Sequence, residues 1–240
     1  MRAEEARAVM LELFPEGFEE AEAHGGVELV AYTDGRGEER LWQAFGSASG
    51  SDVAGDWLDR WRRFHRPIRV GALWVGPPWE EPEPGATAVV VDPGRAFGTG
   101  GHPTTRLCLE LLQEVPRGSL LDVGCGSGVL AIAAAKLGFD PVTALDVDPQ
   151  AVEATEANAA ANGVEVRAEL ADAAGAALPL ADVAVANIAL DAVERLAAGL
   201  RSPLAITSGY LVSERPALAG YEHVRRSERD GWAADLFARG

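Results

Sequence analysis

The chain has 240 residues, 48% of them hydrophobic, which is enough to bury a full core in one large domain or in a main domain with a small appendage. Its 37 acidic and 21 basic residues give a net charge of −16, which disfavours direct binding of nucleic acid and favours a basic partner. The sequence has no apolar run near the roughly 20 residues that span a bilayer, and its N-terminus carries acids where a signal peptide needs a basic region. We therefore expect a cytoplasmic protein that does not enter a membrane.

Residues 1–50 are predicted to form a small acidic domain of mixed α and β structure. Apolar positions between residues 3 and 14 have helical spacing. Residues 27–32 and 40–45 alternate like two strands on either side of a turn at residues 34–37. We expect this domain to dock the substrate.

Residues 51–85 are predicted to connect the first domain to the next one. The overlapping stretch 46–55 is small and polar, as in a linker or an exposed loop. An aromatic-rich helix is predicted over 56–66, and its aromatic side chains are expected to pack between domains. A single strand over 69–74 and a proline-rich loop over 77–85 follow.

Residues 86–240 are predicted to form the main domain, because strand-like and helix-like segments alternate from residue 119 onward. Such alternation indicates an α/β fold with a mainly parallel sheet and helices on both faces. The predicted strands of this series are 120–123, 142–147, 164–168, 183–187 and 204–208, followed by a hairpin of 221–226 and 232–239. Another strand is predicted before the series, over 86–91. The predicted helices are 105–112, 129–137, 149–162, 189–200 and 213–219.

The most informative motif is LDVGCGSG, which begins at residue 121. A buried strand that runs into a glycine turn and then a helix is typical of sites that hold a nucleotide-like ligand against the backbone. Gly124, Gly126 and Gly128 give the pattern G-x-G-x-G, whereas the dinucleotide fingerprint needs glycine at the position of Val129. The motif therefore favours S-adenosylmethionine over NAD, and Gly124 and Gly126 are predicted to contact this cofactor.

Two polar residues end the second and fourth strands of this predicted series. Asp146 ends the strand that follows the glycine turn, where it can accept hydrogen bonds from the two ribose hydroxyls of the cofactor. Asp148, followed by Pro149, is interpreted as a helix N-cap. Asn187 ends the fourth strand, where its amide carbonyl can orient a nucleophilic amine, so it is predicted to be the catalytic residue.

A glycine- and threonine-rich loop, FGTGGHPTT at residues 97–105, precedes these motifs. It leads into a predicted helix, and it can fold over a ligand and offer hydroxyl groups to it. His102 lies in this loop, but a role in starting the helix explains its presence equally well. We do not predict His102 to be catalytic.

The two cysteines, Cys108 and Cys125, are too few for a disulfide scaffold. No cysteine–histidine cluster has the spacing of a zinc site, so no metal is expected. Cys125 lies inside the glycine turn, where we interpret it as a small filler rather than as a reactive thiol.

Four segments in this order and spacing carry a resemblance to a known family: GRAFGTGGHPTTRLCLELL, LDVGCGSGVLAIAAAKLG, ALDVDPQAVEATEANAAANGV and VANI. The chain from about residue 56 onward resembles the PrmA family, bacterial methyltransferases that modify a ribosomal protein of the large-subunit stalk base. The resemblance implies the Rossmann-like class I methyltransferase fold, a seven-stranded sheet whose last hairpin strand is antiparallel. It also implies methylation of lysine and N-terminal amines. The cofactor contacts of the family fall on Thr105, Gly124, Asp146 and Asn187.

We therefore expect an S-adenosylmethionine-dependent protein methyltransferase that acts as a monomer on a basic ribosomal protein. Two alternatives stay open: a methyltransferase of another protein lysine or of a small amine, and a catalytically silent module that binds the cofactor. Asn187 is followed by Ile188 and Ala189 rather than by the Pro-Pro-aromatic sequence of enzymes that methylate bases or glutamine. Planar amide and base substrates are disfavoured for that reason.

Overall fold

The computed structural model describes residues 66–92, 100–173 and 178–240, together with part of the first 48 residues. In that first part the described residues are 6, 9, 10, 13, 14, 18–23, 26–31, 33, 35–46 and 48. The predicted helix over 56–66 lies outside the described residues except for residue 66, as do residues 49–55 of the predicted linker and residues 97–99 of the glycine- and threonine-rich loop. The chain divides into two compact units, Met1–Trp61 and Arg62–Gly240.

The first unit contains an antiparallel strand pair followed by a helix. The strands are β1 (Glu19–Ala23) and β2 (Gly26–Val30), and the helix is α1 (Gly35–Phe45). Strand β2 lies within two residues of its predicted bounds, whereas β1 was not predicted. Of the predicted N-terminal helix, positions 6, 9, 10 and 13 are helical.

The strand predicted over residues 40–45 was wrong, because these residues belong to helix α1. Gly37 is buried, and Leu41, Ala44 and Phe45 are half-buried. These inward positions recur every three or four residues, which is the period of a helix rather than that of a strand. The alternation read from the sequence was a short subset of a helical pattern.

The described part of the second unit is built from strands and helices in an alternating order. In chain order they are β3 (Ile68–Val70), β4 (Leu73–Gly76), β5 (Thr87–Val90), α2 (Pro103–Glu114), β6 (Leu120–Val123), α3 (Val129–Leu137), β7 (Val142–Asp146), α4 (Pro149–Asn162), β8 (Arg167–Leu170), β9 (Val183–Asn187), α5 (Leu190–Leu196), β10 (Leu204–Leu211), β11 (Tyr221–Arg229) and β12 (Trp232–Arg239).

Seven strands form one sheet in the order β11-β12-β10-β9-β6-β7-β8. Five strands, β10, β9, β6, β7 and β8, are parallel to one another. Strand β12 is antiparallel to both β10 and β11. This order confirms the predicted seven-stranded α/β sheet with an antiparallel strand in its last hairpin. Strand β6 (LLDV) is buried along its whole length, because helices cover both faces of a parallel sheet.

The two faces of the sheet bury separate apolar clusters, and successive residues of each strand alternate between them. Leu120 and Val183 belong to the cluster that includes residues of α2 and α3. Leu121 and Ala184 belong to the cluster on the other face, which includes residues of α5. This alternation is the reason that the central strands read as continuous apolar runs in the sequence.

A second, three-stranded sheet has the order β3-β4-β5. The single strand predicted over 69–74 was wrong, because β3 and β4 are two antiparallel strands joined by a turn at Gly71. The φ angle of Gly71 is 57°, which glycine adopts without strain. Strand β5 then pairs in parallel with β4.

Two further predictions are corrected by the structure. The helix predicted over 213–219 is absent from the described residues 178–240, and Pro216 in that stretch has no N–H to donate to a helix. The strand predicted over 164–168 is β8 (Arg167–Leu170) instead. None of the helices in the described part of the chain has both the length and the apolar character needed to cross a bilayer.

Candidate active site

The glycine turn leaves the carboxyl end of β6 and leads into α3. Gly124, Gly126 and Gly128 have φ values of 77°, 54° and 81°, in the left-handed region that other residues rarely adopt. A Cβ atom at Gly124 would lie 2.4 Å from Cγ2 of Ile188, so this position is crowded as well. The Gly124 amide donates to the carbonyl of Leu145 at 2.8 Å. The turn is therefore held against β7 by backbone contacts.

Asp146, at the end of β7, contacts the glycine turn directly. Its Oδ2 accepts a hydrogen bond from the Gly126 amide at 2.9 Å, and its Oδ1 accepts one from the Asp148 amide at 3.0 Å. Each carboxylate oxygen offers two lone pairs, so this half-buried group keeps acceptor capacity after both contacts are made. The amides fix the orientation of a carboxylate that can still bind two hydroxyls.

Asn187 and Thr105 form a second contact between predicted site residues. Nδ2 of Asn187 donates to Oγ1 of Thr105 at 3.3 Å. Thr105 is buried in the first turn of α2, and Asn187 is half-buried at the carboxyl end of β9. An amide nitrogen only donates, so Oδ1 is the atom of the Asn187 side chain that can accept from an amine N–H.

Gly209, which was not among the predicted site residues, holds the Asn187 segment from the neighbouring strand. Strand β10 has a bulge between Ser208 and Tyr210, and Gly209 in this bulge has a φ of 103°. A Cβ atom at Gly209 would lie 2.1 Å from the carbonyl oxygen of Ile188. The Ile188 amide donates to the Ser208 carbonyl at 3.0 Å. A glycine inside a strand-like stretch was the available signal for this bulge.

A polar cluster, buried at Thr207, Tyr210 and Asp235 and exposed at His223, supports the end of β10 behind the bulge. The hydroxyl oxygen of Tyr210 lies 2.9 Å from Oδ2 of Asp235 and 2.7 Å from Oγ1 of Thr207. Nε2 of His223 lies 2.7 Å from Oδ1 of Asp235, and Nη1 of Arg226 lies 3.5 Å from Oδ2. Burial raises the pKa of Tyr210 well above its usual value, so its hydroxyl stays protonated. The cluster joins β10, β11 and β12.

His102 is the N-cap of α2. Its Nδ1 lies 2.7 Å from Oγ1 of Thr104 and accepts a hydrogen bond from the Thr104 amide at 3.4 Å. The ring packs edge-on against Trp232, with 4.8 Å between ring centroids. Partial burial lowers the pKa of His102, which favours the neutral ring that the accepting Nδ1 requires. These contacts establish the helix-starting role that the sequence left open.

Asp122 is a buried acid beneath the glycine turn and was not among the predicted site residues. Its Oδ2 accepts from the Ala131 amide at 3.1 Å, and its Oδ1 has no hydrogen-bond partner among the described residues. Burial raises the pKa of Asp122 to about 7, and the negative charge of Asp146 adds to the rise. A single acid within the apolar strand LLDV was the signal for this group.

Cys125 is a buried filler of the glycine turn. Its Sγ accepts a hydrogen bond from Oγ1 of Thr155 at 3.3 Å. Burial raises the pKa of the Cys125 thiol to about 12, and the charge of Asp122 contributes to the rise. The reactive thiolate is therefore scarce at neutral pH, in agreement with the interpretation from the sequence.

Comparison with known proteins shows a family relationship. The family model described as "Ribosomal protein L11 methyltransferase (PrmA)" matches residues 33–237. The "Ribosomal protein L11 methyltransferase" of Azotobacter vinelandii is 45% identical over 193 residues, which are 74% of this chain and 66% of that protein. The protein of the same name from Symbiobacterium thermophilum is 41% identical over 197 residues, 75% of this chain and 65% of that protein. The chain thus spans just under two thirds of the length of these curated relatives.

A solved structure shares the fold. The crystal structure of ribosomal protein L11 methylase from Lactobacillus delbrueckii subsp. bulgaricus superimposes with a TM-score of 0.65 at 32% sequence identity. The match covers 73% of this chain and 99% of that one. The seven-stranded architecture is therefore that of a methylase.

Proposed function

The chain belongs to the ribosomal protein L11 methyltransferase (PrmA) family, and from this premise we propose that it is an S-adenosylmethionine-dependent enzyme that methylates lysine and N-terminal amines of a large-subunit ribosomal protein. One observation carries the proposal. The carboxylate of Asp146 is held by the Gly126 amide at the same edge of the sheet that presents Asn187. Such an edge offers acceptors for a ribosyl ligand beside an amide that can orient an amine.

The residues at this edge fit S-adenosylmethionine. The left-handed glycines at 124 and 126 keep side chains out of the turn, so a ligand can approach the backbone. Asp146 keeps lone pairs for two vicinal hydroxyls after its two amide contacts. Helix α3 begins directly after Gly128, so its positive dipole end is available to a carboxylate of the ligand.

The chemistry that bound S-adenosylmethionine supplies is an electrophilic methyl carbon, which an amine nitrogen attacks in line with the departing sulfur. The task of the protein is mainly positioning, which can lower such a barrier by roughly 7–11 kcal/mol. Oδ1 of Asn187 accepts an amine N–H and thereby turns the nitrogen lone pair toward the reacting carbon. The amine must be neutral, and a water-poor pocket favours this by lowering the pKa of a lysine.

The charge of the chain supports a basic protein as the acceptor. A net charge of −16 attracts such a partner and accelerates its encounter. We assign substrate docking to the first unit, whose predicted acidic character is part of that charge. A monomeric state and the lack of direct nucleic-acid binding stay predictions.

Incubation of the purified chain with methyl-labelled S-adenosylmethionine and ribosomes from the source tests this function, followed by mass spectrometry of the ribosomal proteins. We expect label on lysine and N-terminal amines of the protein corresponding to L11. Label found only on another protein or on a small amine would show that the enzyme has a different substrate, although it still transfers methyl groups. Cofactor binding without any transfer would identify a silent binding module.

A matched variant excludes label from a contaminating enzyme. Asn187→Ala is purified and assayed in parallel, because it removes the amide that we propose to orient the amine and leaves the Gly126–Asp146 contact in place. If the label appears with the wild-type chain but not with Asn187→Ala, this chain and not a contaminating enzyme has transferred the methyl group. Equal label with the variant would show that the transfer comes from another source or does not use this edge of the sheet.

A further inference from the structure

One face of helix α4 carries three buried polar side chains that have no part in the proposed chemistry. Thr155, Asn158 and Asn162 are 0%, 6% and 9% exposed. Residues three, four and seven positions apart lie on the same side of a helix, so these side chains form one stripe. Buried polar groups need hydrogen-bond partners, and the partners of this stripe lie on two different parts of the fold.

Asn162 pairs with the backbone of β5. Its Oδ1 accepts from the Val90 amide at 2.9 Å, and its Nδ2 donates to the Val90 carbonyl at 2.6 Å. The side-chain amide therefore takes the place of a neighbouring strand for one residue of β5. Nδ2 also donates to the Asn158 carbonyl within α4 at 2.8 Å. These contacts of Asn162 are with β5 and α4 rather than with the glycine turn.

Asn158 bridges β5 and the glycine turn. Its Oδ1 accepts from the amide of Asp92, just after β5, at 3.1 Å. Its Nδ2 donates to the carbonyl of Ser127 at 2.9 Å. One side chain thus sets the distance between the three-stranded sheet and the turn that follows β6.

Thr155 supports the same turn one helical turn earlier. Its Oγ1, which also reaches Sγ of Cys125, lies 3.1 Å from the carbonyl oxygen of Gly126, so its one proton is shared between these two acceptors. The amide of Gly126 is the one that donates to Asp146. The backbone around Gly126 is therefore held on one side by α4 and on the other side by the carboxylate that we assign to the ribose.

We propose that Asn158 is a positioning residue for the cofactor-binding turn, through its amide donation to Ser127. The proposal rests on the proposed function, in which the glycine turn binds S-adenosylmethionine. Loss of the donation releases the Ser127 carbonyl and lets the turn depart from the geometry in which Gly126 and Asp146 meet. Asn162 contacts β5 in the same manner but does not reach the turn, so it provides a matched control.

The substitution Asn158→Asp separates the two contacts of this side chain. Aspartate keeps an acceptor for the Asp92 amide and places a second oxygen, without a proton to donate, against the Ser127 carbonyl. Asn162→Asp makes the same chemical change against the carbonyls of Val90 and Asn158, neither of which belongs to the glycine turn. We expect the dissociation constant for S-adenosylhomocysteine, measured by calorimetry, to rise about tenfold or more for N158D and less than about threefold for N162D.

Hydrogen exchange of the ligand-free protein distinguishes this proposal from the proposed function. We expect faster exchange of the amides between residues 124 and 131 in N158D but not in N162D, at equal free energy of unfolding. Equal effects of both variants on exchange and on affinity would overturn the positioning role. A wild-type protein that does not bind S-adenosylhomocysteine would refute the proposed function, and the exchange comparison would still decide the role of Asn158. If N158D does not fold, Asn158→Ala is compared with Asn162→Ala in the same two measurements.

Discussion

The two halves of the candidate site are held in place by different kinds of contact. In one half, backbone amides of the glycine turn donate to Leu145 and to the carboxylate of Asp146, both on strand β7. Asn187 depends instead on the side chain of Thr105, 82 residues earlier, and on a bulge at Gly209 in the next strand. The half of the site that is fixed by local backbone geometry can be recognised in the sequence as a short motif. The half that is fixed by packing across the sheet leaves no such motif.

The largest effect is expected for Gly209→Ala, which disturbs the packing that holds Asn187 in place. A Cβ atom 2.1 Å from the Ile188 carbonyl oxygen, at a φ of 103°, forces the β10 bulge and the Asn187 segment apart. We expect turnover to fall by about 100-fold or more and the free energy of unfolding to fall by about 2–5 kcal/mol. Methyl-transfer rates and urea denaturation measure the two effects.

Gly231→Ala is the matched control for that substitution. Gly231 also has a left-handed φ, 82°, but no atom lies within 4 Å of the position of its Cβ. It should lose only about 1 kcal/mol of stability from backbone strain and keep its turnover. If the two alanine variants behave alike, the contact between β10 and Ile188 does not hold this half of the site.

A crossed pair of substitutions separates the two halves in function. Asp146→Ala should weaken S-adenosylmethionine binding by about 1–3 kcal/mol, the range of a lost charge-assisted hydrogen bond. Asn187→Ala should reduce turnover at saturating cofactor more than it reduces cofactor affinity. Calorimetry and kcat measured on both variants give the comparison.

The reverse pattern would refute the division of roles within this pair. If Asp146→Ala binds S-adenosylmethionine with wild-type affinity, Asp146 does not bind the ribose of the cofactor. An Asn187→Ala variant that loses affinity but keeps kcat removes the acceptor-orienting assignment. Equal loss of both quantities in both variants would show that the two halves act as one unit.

A further prediction concerns the pH dependence of stability through Asp122. Burial raises its pKa from 3.8 to about 7, so the folded protein keeps a proton there that the unfolded chain has released. The contribution of this group to the free energy of unfolding therefore falls as the pH rises from about 4 to about 7. Asp122→Asn keeps an acceptor for the Ala131 amide but does not titrate.

Urea denaturation of both proteins at several pH values between about 4 and about 8 checks this sign. The free energy of unfolding of the variant minus that of the wild type should increase with pH up to about 7 and then level off. A difference that does not change with pH would contradict a raised pKa at Asp122. A difference that decreases with pH would show that the folded state favours the charged carboxylate.

The elements with strong local signals were predicted closely. Helix α4 has its predicted bounds, 149–162, because Asp148 accepts from the Gln150 amide as N-cap and Gly163 ends the helix in the left-handed conformation. Strands β6, β9 and β12 also have their predicted bounds. In these segments the hydrophobic period and the end signals agree with each other.

The errors lie where one local signal stood alone. Residues 40–45 showed a brief alternation but pack with a helical period in α1. Residues 213–219 were predicted to be helical, but Pro216 has no N–H to donate and residues 214–218 have no regular secondary structure. A longer helical period in the first stretch and a proline in the second outweighed the single signal that was read.

The candidate site divides in the same way. Motif spacing located Gly126, Asp146 and Asn187 at one edge of the sheet, because the carboxyl ends of parallel strands meet there. Gly209 and Asp235 could not be assigned a place, since a bulge and a buried polar cluster depend on the pairing of β10 with β12. That pairing has no signature within either strand.

The position of β12 has a consequence for how the protein forms during synthesis. This strand is the last of the seven in chain order, yet it lies between β10 and β11. Until residues 232–239 have emerged, β10 exposes an unpaired edge, which is a known starting point for aggregation. Because β11 and β12 are joined by a short turn, they can assemble as a hairpin and dock together onto that edge. The half of the site that contains Asn187 can therefore be completed only after the β11–β12 hairpin has formed, whereas β6 and β7 can pair before that.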